Sequence, residues 1–463
     1  MAKNRKNAFW NFIDNLAGDK VVWMIVLLLI LFSVVCIFSS TTGMTKANFT
    51  RLDILAGQLK IVVLGMFCIL FCYLVIRDVK WYKRAAPLGL LFSLAALIFV
   101  LTHIRITDSF RADTINGAWR VIKVGSMQIH IFELIKVAMV LYLAWAIETY
   151  EKKGFHLTDK LAEVPHLEWL GKPLTQRILF IYLPVLVICG CIAFLGSGSS
   201  TLFIFGISFM TIFVSGLWYG KIKKVLLYGF LGVALGGTLL VVTDGKILKV
   251  LGKYETWTSR VKGTGSSEEI FENSKRGSQQ WYDALDDLRQ TYSAKIAVHE
   301  GGFIGKGPGQ STQRYIVPVM YEDYMYAFIV EEYGLLGGIV LLILYLSLLA
   351  RGSIIVKHCN DRFAQIVVAG LVMLITGQAL LHILVNVGLL PLTGQTLPMI
   401  SHGATSFVAF SIAFGIMLSI SRIAKKSLEK ETENAEPIIS IKPEMESSLD
   451  DLDAAEDDII EKI

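Results

Sequence analysis

Apolar residues in this chain come in long continuous runs instead of the short alternations that line one face of a soluble helix or strand. These runs occupy residues 21–38, 59–76, 88–101, 129–147, 178–194, 202–218, 225–242, 327–350, 365–385 and 406–420. Most approach the ~20 residues that carry a helix across a hydrocarbon core, where every backbone N–H and C=O must be satisfied within the segment. The pattern predicts an all-α integral membrane protein of about ten transmembrane helices. It also predicts a large extracytoplasmic loop, residues 243–325, between the seventh and eighth. No small-residue cleavage site follows the first run, which reads as a retained span.

With 54% hydrophobic and 18% charged residues, the chain has too few charges to clothe a water-facing surface. The net charge of +5 needs no nucleic-acid partner, because the basic residues gather in alternate connections. These are Lys3, Arg5 and Lys6; Arg77, Lys80, Lys83 and Arg84; Lys152, Lys153, Lys160, Lys172 and Arg177; Lys221, Lys223 and Lys224; Arg351, Lys357 and Arg362; and Arg422, Lys425 and Lys426. By the positive-inside rule these segments share the cytoplasmic side, which puts both termini inside and the 243–325 loop outside. The chain thus divides into a cytoplasmic lead, 1–20, a membrane domain, 21–426, and an acidic tail, 427–463, too poor in apolar residues to fold alone. Cys36, Cys68, Cys72, Cys189, Cys191 and Cys359 fall in spans or on the cytoplasmic side, so neither an external disulfide nor a metal knuckle is expected.

Polar constellations interrupt this apolar background. In NGAWRVIKVGSMQIHIFELIK, 116–136, Asn116, Gly117 and Arg120 belong to an external loop, while Glu133 and Lys136 enter the fourth span one turn apart on one face. An ionisable pair at that depth is either a functional site or a lock between helices. A glycine-rich stretch, AVHEGGFIGKGPGQSTQ, 297–313, leads into PVMYEDYMY, 318–326, and sets Lys306, Gln313, Glu322 and Asp323 at the outer membrane edge. GKGPGQST lacks the glycine spacing of a nucleotide-binding P-loop. In NVGLLPLTGQTLPMISHGATS, 386–406, Pro391 and Pro398 forbid a continuous helix and Gly388, Gly394 and Gly403 permit sharp turns. This reads as a folded segment at membrane depth, tolerated only when buried in protein or lining a cavity, with Ser401, His402, Thr405 and Ser406 supplying hydrogen bonds.

Together these stretches resemble the SEDS family of shape, elongation, division and sporulation proteins, which includes RodA and FtsW. The patterns are NGA-x-R-x-I-x-x-G with E-L-x-K in 116–136, GG-x-x-GKG-x-G-x-x-x-Q in 301–313, D-x-x-x-x-x-x-x-EE-x-G in 323–334 and LLP-x-TG-x-x-LP-x-IS-x-G in 389–403. The lead-in and first span, 18–40, look most like the division-associated branch. Some family positions differ: Val319 stands for a glutamate, Glu322 for a threonine and His402 for a tyrosine, the run after Asp323 is Tyr324-Met325-Tyr326, and the 196–201 segment lacks an aspartate.

The resemblance implies a ten-helix membrane fold and a peptidoglycan glycosyltransferase that polymerises lipid II outside the cytoplasmic membrane. Asp323 would be the general base for the acceptor hydroxyl, and Arg120, Lys123 and Lys306 would balance charge on the departing diphosphate. Gln313, Ser401, Thr405 and Ser406 would contact substrate, while Glu331 and Glu332, about two helical turns past Asp323, would buttress the cavity. Glu322 beside Asp323 either raises a carboxyl pKa or, with it, recruits a divalent cation such as Mg2+ or Mn2+. Implied partners are a class B penicillin-binding protein transpeptidase, other divisome proteins and membrane lipid. Two other functions stay open: a lipid II flippase using the Glu133–Lys136 pair, and a divisome scaffold without catalysis.

Overall fold

The computed structural model describes residues 18–40, 51–103, 105–107, 110–115, 118–125, 127–217, 270–317 and 320–434. The seventh apolar run, Asn116, Gly117, Val319, the first 17 residues and the tail from 435 lie outside the described residues. Ten long helices are described: α1 Lys20–Ser40, α2 Arg51–Val75, α3 Val79–Leu101, α4 Ile131–Glu151, α5 Pro173–Phe194, α6 Gly198–Val214, α7 Gln279–Gly301, α8 Met325–His358, α9 Arg362–Asn386 and α10 Ala404–Asn434. Seven of them, all but α4, α6 and α7, are long and apolar enough to cross a membrane. The chain is a multi-pass membrane protein.

Between α3 and α4 the expected external loop is instead a four-stranded antiparallel sheet in sequential order, β1 Arg105–Thr107, β2 Phe110–Ile115, β3 Ala118–Val124 and β4 Met127–His130. The sheet is a small addition to a mostly helical membrane fold. Short strands of mixed polarity escape a reading that looks only for long apolar runs.

Capping and charge explain several helix ends. Asp19 accepts from Val21 and Val22 N–H at the start of α1, Asp78 from Lys80 N–H at α3, and Asp361 from Ala364 N–H at α9. Helix α3 begins nine residues before the apolar run, because Lys80, Lys83 and Arg84 lie on its first turns. Lys83 Nζ reaches Glu148 Oε1 of α4 at 2.8 Å and Asp361 Oδ2 at 2.6 Å. Arg351 joins Asp19 at 2.6 Å, Arg362 joins Glu151 at 3.0 Å, and Arg422 donates to the Ile76 carbonyl. The basic connections thus meet at one end of the bundle. Since α8 runs from Met325 to His358, Asp323 lies at the other.

The core is built around α4, α9 and α10, with α10 against α2 and α4, α9 against α4, α6 and α8, and α3 against α4. Helices α2 and α10 touch backbone to backbone: a Cβ on Gly415 would sit 3.1 Å from Ile69 Cα.

The segment between α9 and α10 is folded, as its prolines and glycines predicted, with residues 387–391 exposed and residues 397–401 buried. Its backbone is satisfied by distant side chains, the condition for irregular chain at this depth. Gln378 donates to Thr396 O, Ser199 to Thr393 O, Ser33 to Ile400 O and Tyr345 to Pro398 O. Ser401 Oγ accepts from Leu397 N–H.

Candidate active site

Asp323 and Glu322 occupy the turn before α8, partly buried and side by side. Three polar groups from the 386–402 stretch fix this turn. Asn386 Nδ2 donates to Asp323 O at 3.1 Å, Ser401 Oγ to Glu322 O at 2.7 Å, and His402 N–H to Tyr321 O at 2.9 Å. The carboxylates themselves face the charge of Arg120. That arginine arrives by a β-bulge: Asp113 pairs with Val121 and Thr114 with Trp119, leaving Arg120 as the extra residue of β3. Bulges re-aim side chains in this way.

Burial, with the neighbouring Asp323 charge, pushes the Glu322 carboxyl up to about 7, while Arg120 pulls it down. Burial also raises the Asp323 carboxyl, and Arg120 again opposes. A carboxylate moved toward neutrality and held beside a guanidinium suits a general base next to an anion-binding group. Lys123, grouped with Arg120 by the sequence, pairs across the sheet with Arg111 and Gln128, and no contact with Asp323 is found for it among the described residues.

A second buried centre lies along α4. Lys136 is 2% exposed and donates to Glu133 Oε1 at 2.7 Å, Gln378 Oε1 at 2.8 Å and Gln395 Oε1 at 2.7 Å. All three ammonium hydrogens are therefore used. Ser406 Oγ lies 3.3 Å from Glu133 Oε2 and 2.6 Å from Thr396 Oγ1. Thr405 ties β4 to α10, accepting from His130 N–H and donating to Gln128 O. Ser401, Thr405 and Ser406, expected to face substrate, are thus engaged by the protein itself.

The glycine-rich stretch is organised by Glu331 and Glu332, both fully buried. Glu331 receives Lys306 Nζ at 2.8 Å, Ser311 Oγ, Thr312 N–H at 2.8 Å and Gln313 N–H at 3.3 Å. Glu332 receives Ser39 Oγ at 2.7 Å and Gly309 N–H at 3.0 Å, with Arg314 at 3.6 Å. Lys306 also bonds Glu300 and Thr312. This corrects the reading of Lys306 as a phosphate-facing cation, since its donors are committed to the loop's own anchors. Gln313 is buried in the same cluster. Gly301, Gly305 and Gly334 allow close backbone packing, while the Gly309 N–H serves the Glu332 carboxylate. Gly334 breaks α8 with φ 71°, and a Cβ there would strike Phe303 O, while one on Gly305, at φ 91°, would strike Glu332 O.

Among the described residues no third Asp, Glu, His or Cys joins Glu322 and Asp323, and Arg120 already supplies positive charge to both. The six cysteines are all free.

Sequence reasoning overlooked Gln378, His382 and Gln395. Gln378, His382 and Asn386 recur every fourth residue of α9, a polar stripe on an apolar span that was legible as one face.

The profile of the cell cycle protein family of FtsW, RodA and SpoVE matches residues 19–426, and the chain belongs to that family. It is similar to the probable peptidoglycan glycosyltransferase FtsW of Marinobacter nauticus, 27% identical over 84% of this chain and 87% of the relative. It is also similar to stage V sporulation protein E of Bacillus subtilis, 26% identical over 88% and 98% of the two chains. Thermus thermophilus RodA shares the fold with a TM-score of 0.53 at 20% identity, over 88% of this chain and 98% of its own. A chain of a peptidoglycan synthase complex does so with a TM-score of 0.60 at 21% identity, over the same shares.

Proposed function

We propose that the chain is a peptidoglycan glycosyltransferase that polymerises lipid II during cell division. The observation that carries the reading is the buried-edge trio of Asp323, Glu322 and Arg120, at the end of the bundle opposite its basic connections. The similarity to proteins called peptidoglycan glycosyltransferases supports it. Asp323 takes the proton from an acceptor sugar hydroxyl as its oxygen attacks the anomeric carbon of the donor. The undecaprenyl diphosphate leaves with the bonding pair, and Arg120 stabilises the charge that develops.

On this reading the membrane is the cytoplasmic one, both termini and the basic connections face the cytoplasm, and the Asp323 end faces outward. The count of ten spans includes the run at 225–242. A single-span class B penicillin-binding protein transpeptidase is the proposed partner, in line with the similarity to a peptidoglycan synthase complex. The flippase reading loses ground because Lys136 is held by three acceptors in a closed network. Purified protein incubated with labelled lipid II tests the proposal. Glycan polymer is expected, and lipid transfer between leaflets without polymer would overturn it.

A further inference from the structure

Helix α8 begins at Met325 without a capping side chain of its own: its N-cap residue, Tyr324, makes no such bond. Its first N–H groups would be orphaned at the edge of an apolar core, which costs free energy wherever water is excluded. They are met instead from α9. The Tyr326 N–H reaches His382 Nε2 at 3.4 Å, and the Ala327 N–H reaches Asn386 Oδ1 at 3.0 Å. His382 and Asn386 stand one turn apart on α9, each 1% exposed.

The bonds fix the histidine's tautomer. His382 Nδ1 lies 2.7 Å from Gln395 O, an acceptor only, so Nδ1 carries the hydrogen and Nε2 offers its lone pair to the Tyr326 N–H. A doubly protonated ring would set N–H against N–H. Asn386 is oriented as strictly. While its oxygen caps Ala327, its Nδ2 donates to the carbonyl of Asp323 and to His382 O. The same Gln395 whose backbone holds His382 gives its side-chain oxygen to Lys136. A continuous run of bonds therefore joins the Glu133–Lys136 pair to the turn bearing Asp323.

We infer that His382, as the neutral Nδ1–H tautomer, and Asn386 are positioning residues: they cap the amino end of α8 from a neighbouring helix and set where Asp323 stands. For the reaction this rests on the polymerase reading above. A displacement of about 1 Å at a reacting group costs up to about a hundredfold in rate, so a loosened cap is read in kcat before KM.

The test compares His382→Gln, His382→Asn, His382→Leu and Asn386→Leu in the purified full chain. Glutamine at 382 restores an acceptor at the place of Nε2; asparagine restores only the donor toward Gln395 O. Leucine at either position should lower kcat for labelled lipid II about tenfold or more, leave KM within about twofold and shift the acid limb of the pH profile. Glutamine at 382 should recover most of the loss and asparagine should not. Rescue by asparagine alone, or wild-type kcat and acid limb in all four variants, overturns the inference. Amide hydrogen exchange over residues 320–330 gives a second reading that needs no turnover. Exchange at Tyr326 and Ala327 should speed up with His382→Asn and return with His382→Gln, and equal exchange in both would overturn the cap. Wild-type protein that makes no glycan defeats the polymerase reading, while the exchange result still decides the cap.

Discussion

The Ser401 hydroxyl donates to the backbone carbonyl of Glu322 across 2.7 Å, joining two chain segments 79 residues apart. Through that bond the folded connection between α9 and α10 becomes one wall of the site. Asn386 and His402 add the carbonyls of Asp323 and Tyr321 to the same wall. The carboxylate pair is therefore held by backbone bonds on one side and by the charge of Arg120 on the other. Each part can be perturbed separately.

Asp323→Asn should fold and insert, because the hydrogen bond from Asn386 to this turn uses the backbone carbonyl of Asp323, which the variant retains. It should make no glycan from lipid II, since an amide accepts no proton. Polymer formed at near the wild-type rate, measured by gel analysis at matched protein, would remove Asp323 from the base role.

The Glu322 carboxyl sits at about 7 in the fold against 4.5 as the ordinary value. A raised folded pKa favours the folded state most below about 4.5, and this contribution is lost as pH rises through about 7. Thermal unfolding midpoints of the detergent-solubilised protein should fall across that window. Glu322→Gln should flatten the fall. Because Arg120 pulls both carboxyls down, Arg120→Gln should move the acid limb of activity to higher pH. An unmoved limb would place Arg120 elsewhere in the reaction.

Lys136→Met leaves the partly buried Glu133 carboxylate without its cation, a loss that reaches ~3–5 kcal/mol where such a charge is fully buried. Exchanging the two charges should recover only part of this. Gln378 and Gln395 both present oxygens to position 136, and those oxygens would then meet a carboxylate until the amides flip. Full recovery in the swapped pair would mean that the glutamines contribute little to the lock.

Lys306→Met removes one of the groups bound to Glu331, whereas Glu331→Gln weakens every hydrogen bond that its carboxylate accepts from the loop. Charge-assisted bonds are about twice as strong as neutral ones, so Glu331→Gln should be the more damaging change. Limited proteolysis of the 301–317 stretch should show it as faster cleavage. Equal cleavage in the two variants would contradict the assignment of Glu331 as the loop's anchor.

Much of this molecule was readable from residue order alone. Apolar run length marked the membrane helices but not the polar α7, because lipid forces backbone bonds to close only within the segments it surrounds. Pro391, Pro398 and the glycines around them announced a folded segment, since no side chain elsewhere can restore the missing proline donor. The one-turn spacing of Glu133 and Lys136 announced their pair. What the sequence could not decide were partnerships between distant segments. Lys306 looked like a free cation until Glu300 and Glu331 closed on it, and Ser401, Thr405 and Ser406 looked available until the turn at Glu322, β4 and Glu133 took their hydroxyls. Arg120, whose charge acts on Asp323, is the extra residue of a bulge that no local sequence signal marked. His382 on its own is one polar residue in an apolar helix. Its meaning arises when the amino end of α8 comes to rest against it, a contact 56 residues apart in sequence. Local propensity and hydropathy act over one or two turns, whereas a hydrogen bond between side chains of separate helices exists only once packing has brought them within 3 Å or so.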